Sequence, residues 1–387
     1  EYNAGTGILP AHEDDVGGFP VIASGTAYAD TDQDGMADAW EMAQFGNLSQ
    51  TNNGIGANGH THLENFLSGQ FGVAGVPAAP ATLTATVAAA PNNINQINLS
   101  WTNVASETGY KIDRKKGASG AYSQIAATAA DVVTYNDTTA GAGTLYYYKV
   151  RAYNGSGNGA YSPEANTTTA EVTSGRQAHW KFDATSGTTA TDSSGNANTG
   201  TLVNGPTWVA GKIGNAVNFD AVNDLVNGGS GATLDNLPAL TVSAWVKANS
   251  YVGRIVHKDI GTVSTVGWQF YQNGSGSMGF VAKHATTNIN RISAANAISL
   301  GAWNHVMVTW TGSSTATNAK IYVNGVETGY ATTTNGVGTR GNDATASAFI
   351  GNNDTGVRTF DGALDDVRIY NRVLTASEIQ AVYRAGL

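Results

Sequence analysis

Along residues 99–154 hydrophobic and polar side chains alternate with a period of two in successive short runs, the pattern of strands with one buried face. Leu99-Ser100-Trp101 sets a tryptophan on an early strand, Gly109 to Arg114 reads as the next, and Tyr146 to Asn154 as a late one whose Tyr146, Tyr148, Val150 and Ala152 point inward. From about Ala178 to Leu387 the alternation returns in many short runs bounded by Gly, Asn or Ser. Val242 to Val246, Trp303 to Trp310 and Lys320 to Gly325 are the clearest, and the last ends in an Asn324-Gly325 hairpin turn. Roughly two hundred residues of this kind predict one large β-sandwich. Helical signals are short: Ala39 to Phe45, a stretch near Leu63, and the segment opened by the capping box Thr375-Ala376-Ser377-Glu378 and closed by Gly386.

The acidic residues change the picture at the start of the chain. Residues 1–76 hold ten of the 29 Asp and Glu and none of the 20 Lys and Arg. Within them, Asp30-Thr31-Asp32-Gln33-Asp34-Gly35-Met36-Ala37-Asp38-Ala39-Trp40-Glu41 meets every constrained position of a helix-flanked calcium loop. Asp30, Asp32, Asp34 and Asp38 supply carboxylates at positions 1, 3, 5 and 9, Gly35 permits the sharp turn, Met36 offers its backbone carbonyl, and Glu41 closes the shell as the bidentate ligand. Calcium is the one cofactor expected. A second copy begins near Gly54, where Gly54, Gly56, Asn58, His62 and Asn65 stand at the ligand positions without carboxylates, so little or no calcium is expected there. His60 and His62, two apart with no third ligand, read as ordinary surface residues.

Composition removes other classes. Cysteine is absent, so neither a disulfide nor a thiolate is available. Glycine contributes 48 residues and charged residues only 13%, a turn-dense composition. With a formal charge of -9 and no basic stripe, nucleic acid is a poor partner. Arg114-Lys115-Lys116, the basic cluster of its region, reads as a solvated hairpin turn before Gly117. No stretch approaches the ~20 apolar residues that span a bilayer. Glu1-Tyr2-Asn3 lacks the parts of a secretory signal, so any such signal lies outside the sequence or has been removed.

Three resemblances follow from these residues. Val16-Gly17-Gly18-Phe19-Pro20 and Ser24-Gly25-Thr26-Ala27, followed by the calcium loop, resemble the C-terminal end of secreted bacterial pectate-lyase-like proteins, whose loop is similar to thrombospondin type 3 and dockerin repeats. There the segment follows a parallel β-helix catalytic domain. No β-helix repeats precede it here, so the resemblance does not carry the lyase activity over. Beyond the linker 71–79, marked by Pro77 and Pro80, Trp101 and Tyr146-Tyr147-Tyr148-Lys149-Val150-Arg151-Ala152-Tyr153-Asn154 resemble a fibronectin type III domain, with Tyr146 at the tyrosine corner and a spacer role implied. Asp192-Ser193-Ser194-Gly195-Asn196, Ala216 to Asp220, Trp303 to Val306 and Phe360 to Arg372 resemble the laminin G-like, concanavalin A-like jelly-roll domains of secreted bacterial proteins. That resemblance implies one structural calcium held by Asp192, Asn196, Asp365 and Asp366.

Jelly-roll glycanases need two carboxyls flanking one glycosidic bond. The last domain contains only Glu171, Glu327 and Glu378, and no Glu-x-Asp-x-x-Glu, G-x-S-x-G or H-E-x-x-H run exists, so it reads as catalytically silent. Sugar binding asks instead for an aromatic face, amides and, for acidic sugars, cations. Arg254, His257, Lys258, Trp268, Tyr271 and Arg291 are the candidates, with Phe270 and His284 beside them; Arg340, Asn352, Asn353 and Arg358 are weaker. In Gly267-Trp268-Gln269-Phe270-Tyr271, Trp268 and Phe270 share one face and Tyr271 the other, so one set belongs to a core.

The expectation is a mainly β chain: a calcium-loop segment with short helices over 1–76, a fibronectin type III sandwich over 77–170 and a concanavalin A-like jelly roll over 171–387. Its expected role is that of a secreted, non-catalytic, carbohydrate-binding accessory region of a polysaccharide-degrading enzyme. The expected partners are an upstream catalytic domain and a polysaccharide, acidic if the enzyme is a pectate lyase, with neither nucleic acid nor membrane insertion. The alternative is an extracellular adhesion or structural protein that binds protein or self-associates through the last domain.

Overall fold

The computed structural model describes residues 29–56, 60–67, 76–88, 95–260, 265–353 and 355–387. Residues 16–27, which carry part of the first resemblance, and Asn58 of the second loop lie outside them. The chain divides into two compact units, Glu1–Val76 and Pro77–Leu387.

In the first unit a loop leads into helix α1 (Asp38–Phe45), which Gly46 ends in the left-handed region at φ 71°. Helix α2 (His62–Leu67) follows, opened by Thr61 and Glu64 bonding each other's backbone side in a capping box. Trp40 is buried between Phe45 and Phe66, each ring centroid 5.5 Å away. His62 is not an ordinary surface residue: its ring lies 4.6 Å from that of Phe45 and fills the space beside Gly54. His60 pairs with Glu64 at 3.8 Å.

In the second unit, among the described residues, a three-stranded sheet (Leu83–Val87, Ile97–Trp101, Thr134–Asp137) packs against a five-stranded one centred on Gly109–Lys116 and Leu145–Asn154. Period-two alternation explains the packing, since Tyr146, Tyr148, Val150 and Ala152 are all buried with Leu99, Trp101 and Tyr110. The Tyr146 hydroxyl accepts a bond from the Gly141 N–H at 3.0 Å, closing the expected tyrosine corner. Arg114-Lys115-Lys116 is not a free turn. These residues end a strand, where Arg114 bonds buried Asp137 at 2.6 Å and Lys115 pairs with Glu164 at 3.3 Å.

The larger sandwich has a nine-stranded and an eight-stranded antiparallel sheet among the described residues, with one apolar core between them. Its hairpins follow the sequence: Asn324 and Gly325 have φ 50° and 76°, as a two-residue turn joining Val323 to Val326 requires. Helix α3 (Ala376–Ala385) opens with the expected capping box, and Arg372 grips Glu378 with both guanidinium nitrogens at 2.8 and 2.6 Å. Its apolar face, Ile379, Val382 and Ala381, packs on Met307 and Tyr370 of the eight-stranded sheet, on Leu374 of the loop before the helix, on Ala142 of the smaller sandwich and on Val172 of the segment joining the two sandwiches. The Ala142 N–H donates to the Ala381 carbonyl at 2.8 Å, Arg384 to the Thr138 carbonyl at 2.6 Å, and Lys116 to the Ala385 carbonyl and a backbone oxygen of Leu387. The smaller sandwich is therefore docked on the larger one through α3, a closer arrangement than a free spacer.

Candidate functional site

The alternation of Gly267–Asn273 resolves one ambiguity of the sequence. Trp268 and Phe270 point into the core, opposite Lys258 and Val256 of the neighbouring strand, whereas Gln269 and Tyr271 point to the outer face of the nine-stranded sheet. There, Arg254, Gln269, Tyr271, Lys283, Asn288 and Arg358 line a cleft of about 470 Å³. Gly279, opposite Tyr271, leaves room for the phenol ring to lie on the strand, because a Cβ there would meet the ring at 2.4 Å. The Arg254 guanidinium sits 4.6 Å from the centre of that ring. Burial, and then the Arg358 charge, lower the Arg254 pKa, while burial raises that of Tyr271.

Asp259 is the carboxylate behind this face. It is buried, accepts from Gln269, and lies 2.6 Å from His257 and 3.9 Å from Lys283. Arg358 is presented by a loop tied by Asn352, whose side-chain oxygen accepts from the Arg358 backbone N–H and whose side-chain NH2 donates to the Asp224 carbonyl and the Thr359 hydroxyl. Asn353 accepts from Val357 in the same loop. The cleft is thus lined by two guanidiniums and one ammonium, with no Asp or Glu among the described lining residues.

Several predicted residues have other positions. Trp268 is 1% exposed and offers no face to a sugar. Lys258 is fully buried on the core side, where its ammonium bonds Asp235 at 3.0 Å and the carbonyls of Asp343 and Ala346 at 3.0 and 2.7 Å, tying loops at the end of the sandwich. Arg291 pairs with Phe280 on the inner face and stacks 3.3 Å from the Tyr330 ring centre. His257 shares the outer face but is buried beside Asp259. His284 bonds the Ala282 carbonyl, and Arg340 lies over Trp310 and donates to Leu237, both structural positions. Arg254 and Tyr271 alone of the six leading candidates line the cleft. Gln269, Lys283 and Asn288 are not among the sequence candidates, although parity with Tyr271 places Gln269 on its face.

The calcium set implied for the large sandwich does not come together. Asp192 accepts from the backbone of His179, Ser194 and Asn198, and Asn196 turns its amide nitrogen, not an oxygen, to the carbonyls of Arg176 and Gln177. Asp365 and Asp366 leave the strand on one side because Asp366, at φ 51°, sits in a bulge between core residues Leu364 and Val367. Asp366 pairs with Arg368 at 2.8 Å and His179 at 2.6 Å. Asp365 accepts from Lys212 and Ile213 N–H at 2.8 Å, and burial pushes its pKa up to about 7.

The first loop fits calcium better. Carboxylate oxygens of Asp30, Asp32 and Asp34 lie within 4.8 Å of one another, the one such cluster of three among the described residues. Glu41 is fully buried with neither carboxylate oxygen hydrogen-bonded, and Asp34 keeps Oδ2 unpartnered. Burial, and then Asp32, Asp34, Asp38 and Asp30, raise the Glu41 pKa, so these carboxylates face one another. An all-oxygen donor set with orphaned buried oxygens suits a hard divalent cation. Asp38 is the exception, held instead by the Thr31 N–H and hydroxyl. The Met36 side chain is buried, consistent with a ligand through its backbone only.

No curated protein sequence matches the chain significantly. Among solved structures, domain 4 of AbnA, a GH43 extracellular arabinanase from Geobacillus stearothermophilus solved with arabinotriose, is similar over 54% of this chain and 98% of its own, at 23% identity and TM-score 0.40. The binding domain of Paraclostridial Mosquitocidal Protein 1 is similar over 54% of this chain and 52% of its own, at 16% identity and TM-score 0.44. An Fn3-like protein from Clostridium thermocellum is similar over 24% of this chain and 91% of its own, at 31% identity and TM-score 0.21. Residues 220–380 match the family model described as the Concanavalin A-like lectin/glucanases superfamily, and the larger sandwich is a concanavalin A-like jelly roll.

Proposed function

We propose that the chain is a non-catalytic, calcium-stabilised carbohydrate-binding region of a secreted polysaccharide-degrading enzyme whose catalytic domain is carried elsewhere, and that its ligand is an acidic, pectin-like glycan. The observation that carries this reading is the convergence of Arg254, Arg358 and Lys283 with the amides of Gln269 and Asn288 around one cleft. The burial and the Arg358 charge that lower the Arg254 pKa favour a carboxylate placed beside the two guanidiniums, and planar forks suit carboxylates. Amides at the margin suit hydroxyls. Hydrolysis of a glycosidic bond asks for a pair of carboxyls flanking it, and the cleft's described lining supplies none. Tethering a weak binding module to a catalyst raises local substrate concentration.

The test is calorimetric titration of the whole chain with galacturonan oligomers. Arg254→Ala removes a charge-assisted contact and is expected to weaken binding about 10- to 100-fold, while Arg291→Ala, on the inner face, leaves affinity within about threefold. Equal losses from both substitutions would remove the cleft from the reading.

A further inference from the structure

The hydrogen-bonding groups of the sheet-face cleft have fixed directions. Arg254, Arg358 and Lys283 carry N–H groups that donate and accept nothing. Asn288 accepts the His284 N–H on Oδ1 at 3.0 Å, which leaves its NH2 for a ligand. Gln269 is set the other way, because its Nε2 donates to Asp259 Oδ2. An ionised carboxylate only accepts, so the amide cannot turn over without placing Oε1 against Asp259. Oε1 is then the polar atom that Gln269 has left for the cleft, and it is an acceptor.

The residue that imposes this orientation stands behind the cleft. Asp259 is 2% exposed and lies on the paired strand, two positions beyond His257, the direct partner of Gln269. Gly267, opposite Asp259 at φ 85°, makes room for it: a Cβ there would lie 2.8 Å from the Asp259 Cβ and 1.8 Å from the Lys258 carbonyl oxygen. His257 Nε2 stands 2.6 Å from Asp259 Oδ1, and the Lys283 ammonium 3.9 Å from Oδ2. One buried carboxylate thus holds two groups that line the cleft, the Gln269 amide and the Lys283 ammonium.

We infer that Asp259 is a positioning residue that sets Gln269 as a hydroxyl acceptor beside the guanidiniums, so that the cleft selects a uronate with free hydroxyls over a polyanion that has none. The inference rests on the reading of this cleft as an acidic-glycan site and sharpens it. The carboxylate goes to Arg254 and Arg358, while a ring hydroxyl donates to Gln269 Oε1 and another accepts from Asn288. A polycarboxylate without hydroxyls meets the same cations but leaves Oε1 unpaired. A site built to bond a hydroxyl rejects the analogue that lacks it for this reason.

The test titrates the full chain calorimetrically with oligomers of galacturonate, acrylate and galactose of matched length, and follows the melting temperature of each variant as a check on folding. Acrylate supplies carboxylates without hydroxyls, and galactose hydroxyls without carboxylates. The wild type is expected to bind galacturonate about tenfold more tightly than acrylate, and galactose most weakly. Gln269→Met, close in shape, should lower galacturonate affinity about tenfold and leave acrylate within about threefold. Asp259→Asn should lower galacturonate affinity likewise while acrylate binds as well or better, because the amide is released and Lys283 loses its counter-charge. Damaged packing would weaken both ligands together, so the ratio separates positioning from a structural role. Should Asp259→Asn not fold, Asp259→Ser carries the same comparison. Binding of none of the three, or of galactose as tightly as galacturonate, sinks the acidic-glycan reading of the cleft and the inference with it. Equal affinity of the wild type for galacturonate and acrylate, or a ratio that survives either substitution, overturns the inference while leaving that reading in place.

Discussion

Glu41 offers the most decisive perturbation of the loop formed by residues 30–41. Its carboxylate is fully buried, neither oxygen is hydrogen-bonded, and four aspartates raise its pKa after burial has done so. Without a cation this arrangement costs free energy, and with one it becomes the closing ligand. If the loop binds with a Kd of about 10 μM, within the wide range such loops cover, 1 mM calcium is about 100 times Kd and stabilises the folded loop by about 2.7 kcal/mol. That corresponds to roughly 100-fold slower exchange of the α1 amides where exchange proceeds through loop opening. Glu41→Gln removes a charged ligand and is expected to weaken calcium about 10- to 100-fold, yet it also removes the buried charge. Hydrogen exchange read on peptides covering residues 36–46 of the intact chain should therefore show a crossover. In chelator the variant is protected at least as well as the wild type, and in 1 mM calcium it is protected less. Equal loss of protection by the variant in both buffers would make Glu41 a packing residue and refute the calcium assignment.

Other consequences follow from the same geometry. At Gly141 a Cβ would lie 2.4 Å from the Ala385 backbone nitrogen, so Gly141→Val should split a single calorimetric unfolding transition of residues 77–387 into two as the α3 seam opens. The Asp365 pKa, raised by burial to about 7 from 3.8, contributes stability that is full below about pH 4 and is lost as pH rises to about 7. Relative to Asp365→Asn, the wild type should lose up to about 4 kcal/mol over that window, measured by urea unfolding; a flat difference would contradict it. Phe270→Ala, emptying a fully buried core position, should cost about 3–5 kcal/mol in the same assay, whereas Tyr271→Ala, on the outer face, should cost less.

What the sequence disclosed and what it withheld divide along range. Local patterns were readable: the inward set Tyr146, Tyr148, Val150 and Ala152, the Thr375 capping box, the Asn324-Gly325 turn and the spacing of Asp30, Asp32 and Asp34 with Glu41 all depend on neighbours within a few positions. Alternation also showed that Trp268 and Tyr271 face opposite ways, but period two does not say which face is buried. Lys258 reads as a surface cation because its partners, Asp235, Asp343 and Ala346, are 23 to 88 residues distant. The resemblance implies calcium at Asp365 and Asp366, and nothing local in the sequence opposes it, because the bulge at Asp366 and the far-off claims of His179, Arg368 and Lys212 have no local signature. The cleft residues Lys283 and Arg358 meet Arg254 only once the sheet and the 351–360 loop are assembled.

The central claim, binding to an acidic glycan without turnover, is most directly tested by affinity electrophoresis of the intact chain. The gels contain homogalacturonan, alginate, xylan or β-glucan, with and without calcium, and soluble products are assayed in parallel. The account predicts retardation in the galacturonan gel, weaker in Arg254→Ala, with no product released. Migration unretarded in every gel, or calcium-dependent release of unsaturated products by the pure chain, would contradict it.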